Sequence, residues 1–234
     1  MDLSFLVDTF EAEGRLLDAT LRNHPAFRAF YTRDFRHANP GALRESYLRL
    51  LKLKADYVQF TVPALRAAGQ ALQNGDDEDR AWSSVFLGYA NGETDPDGDY
   101  GHHVWAHSDM RALGASESEI AAPPHFTATL YGRYFVEEAA RHPYGILGAK
   151  GVLEHFSVRT SDDLVRGVLE SRIPNAERAV SFFEHHGVLD IEHVREGDRN
   201  LDRLRGADKR AQILEAAYFT SGIYRAFVHY LVPV

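Results

Sequence analysis

The chain is predicted to be all-α, a compact helical bundle, on three observations. Apolar residues recur three and four positions apart, capping residues and prolines mark helix starts, and no stretch alternates apolar with polar residues between hairpin turns. The elements follow in order. A first helix is expected from about Leu3 to Leu21 and a second from His24-Pro25, because proline is tolerated in a first helical turn. Gly41 to Gln73 reads as one long helix with a kink or break at Pro63. Asn74-Gly75 ends it, and Asp76-Asp77-Glu78-Asp79 brings negative charge to the next helix start. That helix carries Trp82, Phe86 and Tyr89 and stops near Glu93. The acidic, Pro- and Gly-containing segment Thr94 to Gly101 is a loop. Further helices are expected at about His102–Leu113, Pro124–Arg141, Pro143–Val158, Ser161–Arg172, Pro174–Glu196 and Leu201–Leu231. No repeat or linker divides the chain, so residues 1–234 are expected to form one domain.

Composition narrows the chemistry. There are 34 acidic residues against 26 basic ones, a formal charge of −8, and no run of five basic residues, which argues against nucleic acid or an anionic membrane as partner. The absence of cysteine excludes disulfides, thiolate nucleophiles and sulfur-ligated metals. The N-terminus has no basic region, and Asp8 and Glu11 interrupt it too early for a signal peptide. Phe227 to Val234, the most apolar stretch, falls far short of the ~20 residues that span a bilayer. A cytoplasmic protein without membrane partners is expected.

The most informative segment is Phe182-Phe183-Glu184-His185-His186-Gly187-Val188-Leu189-Asp190-Ile191-Glu192-His193. At about 100° per residue, His186, Asp190 and His193 fall within about 60° of one another, on the face that Phe182 and Phe183 turn to the core. Glu184, His185 and Glu192 project elsewhere, toward solvent. A lone histidine is more often a satisfied core residue than a ligand. Two histidines and a carboxylate on an inward face are costly to bury unless a cation neutralises and bonds them. Gly187 beside the first histidine costs about 1 kcal/mol relative to Ala in a helix interior, and is read as making room for a close neighbour.

Two weaker signals accompany this one. Glu154 interrupts the small or apolar stripe of Leu147, Gly151 and Val158, and Glu93 ends the stripe Phe86, Tyr89/Ala90. In the helix after the acidic loop, Trp105, Ala106, Met110 and Leu113 form the apolar arc, with His102 near its centre, His103 at its edge and His107 outside it. His102 is therefore chosen, with His103 as the register alternative; His107 and Asp109 are expected to be exposed or to stand behind the ligands. The candidate metal ligands are thus Glu93, His102, Glu154, His186, Asp190 and His193. Six oxygen and nitrogen donors suit two Fe(II) ions, and Mn(II) is compatible with the same set. No Glu-x-x-His occurs, so a ferritin-like diiron scaffold does not fit. The acidic loop Asp95-Pro96-Asp97-Gly98-Asp99 is no calcium loop: its glycine is misplaced, and Ala106 stands where the bidentate Glu belongs.

This pattern resembles the heme-oxygenase-like diiron oxidases and oxygenases, relatives of the thiaminase-like TenA proteins and of pyrroloquinoline-quinone synthase. His24-Pro25-Ala26-Phe27, Tyr47-Leu48 and Tyr57-Val58 resemble the superfamily's opening helices. Asn91-Gly92-Glu93 with His102 and Ala112-Leu113-Gly114, then Leu147-Gly148 with Glu154, then His186 through His193, resemble its three ligand regions. The resemblance implies one iron on Glu93, His102 and His186 and the other on Glu154, Asp190 and His193, with Asp99 as the alternative to Glu93. It implies O2 as co-substrate, a small-molecule substrate and an external electron donor. The reaction it favours is N-oxygenation of an amine, with oxidative C–C cleavage of a fatty or amino acid as the alternative. A homodimer is compatible with it. TenA-type hydrolases use a cysteine that is absent here, and pyrroloquinoline-quinone synthase works without metal and needs no three inward carboxylates. Heme oxygenase needs an axial histidine near the N-terminus; His24 is available, but that reading leaves the later donors without a purpose. Tyr57, Trp105 and Tyr131 are candidates to line a cavity, without an assigned role.

Overall fold

The structure, a computed structural model, describes residues 4–94 and 101–230. Among the described residues there are helices and no strands: α1 Ser4–Asn23, α2 Arg28–Thr32, α3 Pro40–Val58, α4 Thr61–Leu72, α5 Asp77–Gly92, α6 His102–Ala112, α7 Glu117–Ile120, α8 Phe126–Arg141, α9 Gly145–Glu170, α10 Ser181–Leu201 and α11 Ala207–Tyr230. The all-α expectation holds. None of the described helices is long and apolar enough to cross a membrane.

α9 is the axis of the bundle, packed along its length by α1, α10 and α11, with α2 at its C-terminal half; α4 packs on α5 and α8, and α3 on α6. The sequence reading split α9 at residues 159–160, and the structure runs through. Thr160, fully buried, meets the Tyr31 hydroxyl at 2.6 Å, and Ser161 and Leu164 continue the buried stripe that Val152 and Phe156 begin. Tertiary contact keeps the helix going where local propensity is weak. Where α9 crosses α11 the backbones nearly touch, so that a Cβ on Gly148 would sit 1.9 Å from the Ile213 carbonyl oxygen. Glycine is required there.

Further boundaries differ from expectation, among them the last break, which falls at residues 202–206 instead of between Glu196 and Leu201. His24-Pro25 does not open a helix: the His24 ring accepts from Ala26 N at 3.2 Å, residues 24–27 form a turn, and α2 begins at Arg28. The break in the long N-terminal helix falls at Gln59-Phe60, upstream of Pro63, which places the proline in the first turn of α4, where it lacks no hydrogen bond. The helix expected from Pro174 begins at Ser181, after a short 3-10 turn at Ala176–Arg178. The short α7 was not anticipated, although Ser116 and Glu119 spell the reciprocal capping box that starts it. The cap on α5 is as the acidic run implies, with Asp76 accepting from Asp79 N at 2.8 Å.

The start of α10 is set from another helix. Asp109 of α6, fully buried, accepts from Ser181 N at 3.1 Å, Ser181 Oγ at 2.6 Å and Phe182 N at 2.9 Å. A carboxylate there satisfies orphan N–H groups and meets the positive end of the helix dipole. Burial pushes the Asp109 pKa up, against the pull of these bonds. Asp109 thereby fixes α10 against α6, so His186, one turn into α10, faces His102, two turns back along α6.

Candidate metal centre

The inward face of α10 is the predicted one: Phe182, Phe183 and Asp190 are buried, His186 and His193 are half-buried, and Glu184, His185 and Glu192 are exposed. Gly187 lies against α9, where an added Cβ would come within 3.2 Å of Ser161 Cβ and 3.3 Å of Asp162 Oδ1, which accounts for a glycine inside a helix. Glu154 comes from α9, His102 from the first turn of α6, and Glu93 from the C-terminal boundary of α5. All six candidates line one cavity of about 110 Å3. Asp99, the alternative to Glu93, lies outside the described residues, as does most of the acidic loop. His103 sits on the flank of α6 and pairs with His107, their ring centroids 5.7 Å apart, while His102 takes the inward position. His107 is half-buried; Asp109, expected at the surface or behind the ligands, is the buried cap described above.

The six side chains fall into two groups. In the first, His186 Nδ1 donates to the Phe182 carbonyl at 2.7 Å, which leaves the Nε2 lone pair directed into the cavity. His102 Nδ1 stands 3.2 Å from that nitrogen, and its Nε2 lies 3.4 Å from Glu93 Oε2. Burial, with His186 beside it, lowers the His102 pKa to about 3, and burial lowers that of His186 as well. Both rings are therefore neutral at physiological pH. A neutral His102 has a single N–H to share between the His186 lone pair and the Glu93 carboxylate, so with Glu93 ionised one of these two contacts has no proton between its electron-rich atoms. Among the described residues, His102 Nε2 is buried without a hydrogen-bond partner. A metal cation resolves this conflict, because it accepts electron pairs from several such atoms at once. The donor set fits a metal ion. Trp105 stacks on the His102 ring at 5.0 Å and on His185 at 4.5 Å, shielding this group from solvent.

The second group is Glu154, Asp190 and His193, whose donor atoms all lie within 4.8 Å of one another. His193 Nδ1 is 3.4 Å from Glu154 Oε1 and 3.4 Å from Asp190 Oδ1. This group already contains positive charge. Lys150, one turn before Glu154 on α9, directs its ammonium onto Glu154 Oε1. Burial raises the Glu154 pKa against that pairing, and the hydrogen bond to Asp190 raises that of His193. Asp190 is held below the usual carboxylate range: burial works against it, but His193, His186 and Ser157 together outweigh burial.

Two cavity residues were missed from sequence. Lys54 of α3 is buried against aromatic rings, and burial lowers its pKa to about 7. Its position three residues before Tyr57 and seven after Tyr47, on a stripe otherwise apolar, was a readable signal. Lys150, four residues before Glu154, carries the same kind of signal. Tyr57 and Tyr131 do line the cavity, while Trp105 acts from behind His102.

Comparison with known proteins gives the family and the fold. The family model described as iron-containing redox enzyme matches residues 52–221. Among solved structures, a domain of unknown function with a heme oxygenase-like fold from Shewanella denitrificans OS217 superposes with a TM-score of 0.72. It is 16% identical, and the match covers 99% of this chain and 92% of that one. A TenA family transcription regulator from Silicibacter sp. TM1040 matches at a TM-score of 0.48 and 18% identity, covering 94% of this chain and 97% of that one. Functionally curated proteins gave no significant match. The fold is heme-oxygenase-like.

Proposed function

The chain belongs to the iron-containing redox enzymes, and from that premise we propose that it is a non-heme diiron oxidoreductase that uses O2 to oxidise a small organic substrate. N-oxygenation of an amine is the favoured reaction, and oxidative C–C cleavage of a fatty or amino acid the alternative. Glu93, His102 and His186 would hold one Fe(II), and Glu154, Asp190 and His193 the other; bound iron would supply the electrons and open coordination positions that dioxygen reduction needs. The observation that carries this reading is the nitrogen-to-nitrogen approach of two neutral buried imidazoles, 3.2 Å apart, beside a carboxylate.

The chain's own residues do the rest. The Phe182 carbonyl fixes the His186 tautomer and ring orientation, a support that metal-ligating histidines generally need. Asp109 holds the ligand helix in register. Phe182, Phe183, Tyr131, Phe135 and Ile146 give the cavity an apolar side, which disfavours water there. A reductant from outside the chain would deliver electrons between turnovers.

A metal-free reading has one observation in its favour: Lys150 already neutralises Glu154. In it, His102 Nδ1 donates to His186 Nε2, and the His102 Nε2 lone pair then faces an ionised Glu93 with no proton between them. Anaerobic loading with Fe(II) and iron analysis separates the two. About two irons per chain are expected, with O2 uptake that depends on them; retained oxidation of substrate in iron-free protein would favour the metal-free reading.

A further inference from the structure

Two lysines line the cavity; Lys150 is paired with Glu154, and Lys54 has no carboxylate partner within ion-pair distance among the described residues. It is 5% exposed, and its single hydrogen bond among the described residues is to Tyr57 Oη at 3.1 Å. The rest of its surroundings are ring faces, with the Nζ 4.8 Å from the centroid of Tyr224, 5.0 Å from Phe156, 5.4 Å from Tyr57 and 5.7 Å from Phe183. An ammonium carries three donors, and two of these have no oxygen to meet. The charge that acts on Lys54 from a distance is Asp190, which is engaged by His193 and Ser157. Once a cation sits among the donors, the Asp190 charge is committed to it and Lys54 is left without a counter-ion. A buried charge in that state is costly, and an apolar side chain of similar volume would stabilise the fold better. A lysine here is explained by something that enters the cavity.

We propose that Lys54, oriented by Tyr57, is the residue that anchors the substrate's carboxylate, and so selects the fatty or amino acids already named over a simple amine. This rests on the reading of the cavity as the substrate site of the metal centre. Lys54 and Tyr57 line the same cavity as all six metal-ligand candidates, so a molecule held at the ammonium lies within reach of them. A cavity of about 110 Å3 has room for on the order of ten water-sized atoms. Its other walls include Tyr131, Phe135, Ile146 and Leu153, which suit a hydrocarbon or aromatic body. With Lys150 committed to Glu154, the Lys54 ammonium and the Tyr57 phenol match a singly charged head. A phosphate, which calls for more donors and is commonly met by arginine, is not matched, since no arginine lines the cavity.

The test is calorimetric titration of hexanoate and phenylacetate, each beside its primary amide, into iron-free and anaerobic Fe(II)-loaded protein. Wild type should bind each acid at least about tenfold more tightly than its amide in both states, as a charge-assisted hydrogen bond implies. Lys54→Met should abolish that preference while leaving the circular dichroism spectrum and Fe(II) stoichiometry unchanged. If Lys54→Met does not fold, two other variants carry the test: Lys54→Arg should keep the acid preference, and Tyr57→Phe should weaken acid binding about threefold, the effect of one lost orienting hydrogen bond. The proposal is overturned if no acid binds wild type, if the amides bind equally well, or if the preference survives Lys54→Met; survival only in the iron-loaded state would mean that the metal holds the carboxylate. The iron count in the same samples keeps the two readings apart. Iron bound without acid preference removes the anchor alone, and acid preference without iron removes the metal centre alone.

Discussion

The two halves of the centre differ in how each is balanced. Glu154, Asp190 and His193 sit with Lys150, and the hydrogen bond between His193 and Asp190 raises the His193 pKa, so this half reaches charge compensation from the protein's own side chains. In the other half, His102 and His186 are both neutral and meet nitrogen to nitrogen, and with Glu93 ionised a single N–H on His102 cannot serve both neighbours. The first kind of cluster folds comfortably without metal, and the second asks for it. We therefore expect the ion at Glu93/His102/His186 to bind more tightly. The ion at Glu154/Asp190/His193 must displace Lys150 and a proton before it can enter.

The largest effect should come from the half that has no substitute cation. His186→Ala removes a donor and the tautomer-fixing bond to Phe182. Iron-dependent O2 uptake should fall at least about 100-fold, beyond the cost of losing a residue that merely supports a ligand. Oxygen-electrode rates on iron-loaded variants measure this. Asp109→Ala should affect both halves, because it frees the start of the helix that carries three of the six donors. Loss of this buried cap should cost about 2–3 kcal/mol in urea denaturation and weaken both metal steps together. Wild-type stability with the two steps unchanged would contradict the positioning role.

A pH series sharpens the comparison further. Because His193 has a raised pKa and must lose its proton to bind metal, affinity at its half should climb with pH between about 6 and 8, by up to about tenfold per unit for one proton released. His102, with a pKa of about 3, is already deprotonated, so affinity at its half should be flat over that range. The smallest effect is expected from Lys150→Met. Removing the resident cation should tighten the second step about fivefold, the size of one unit-charge contact at about 4 Å with water-like screening, with the first step unmoved.

How much of this was legible in the sequence depends on whether a feature is local. The α10 motif was readable because His186, Asp190 and His193 share a face with Phe182 and Phe183, and helical periodicity alone states that. The choice of His102 over His103 rested on the same periodicity, through the apolar arc of Trp105, Ala106 and Met110. Convergence of these faces on one cavity was not readable locally; it came from the resemblance to a known fold. The continuity of α9 was missed because tertiary burial of Thr160 and Ser161 overrides weak local propensity. Asp109 was left open between the surface and a place behind the ligands, because its partners, Ser181 N and Phe182 N, lie 72 and 73 residues away. Lys54 was missed although its stripe displayed it, since a lysine among leucines reads by default as a side chain that reaches for solvent.

Anaerobic Fe(II) titration followed by near-infrared magnetic circular dichroism, run at pH 6 and pH 8, tests the asymmetric two-ion centre most directly. Two binding steps should appear. The tighter should be independent of pH and abolished by His102→Ala, and the weaker should strengthen with pH and be abolished by Asp190→Ala. A single step, no step, or a pH shift shared equally by both would contradict it.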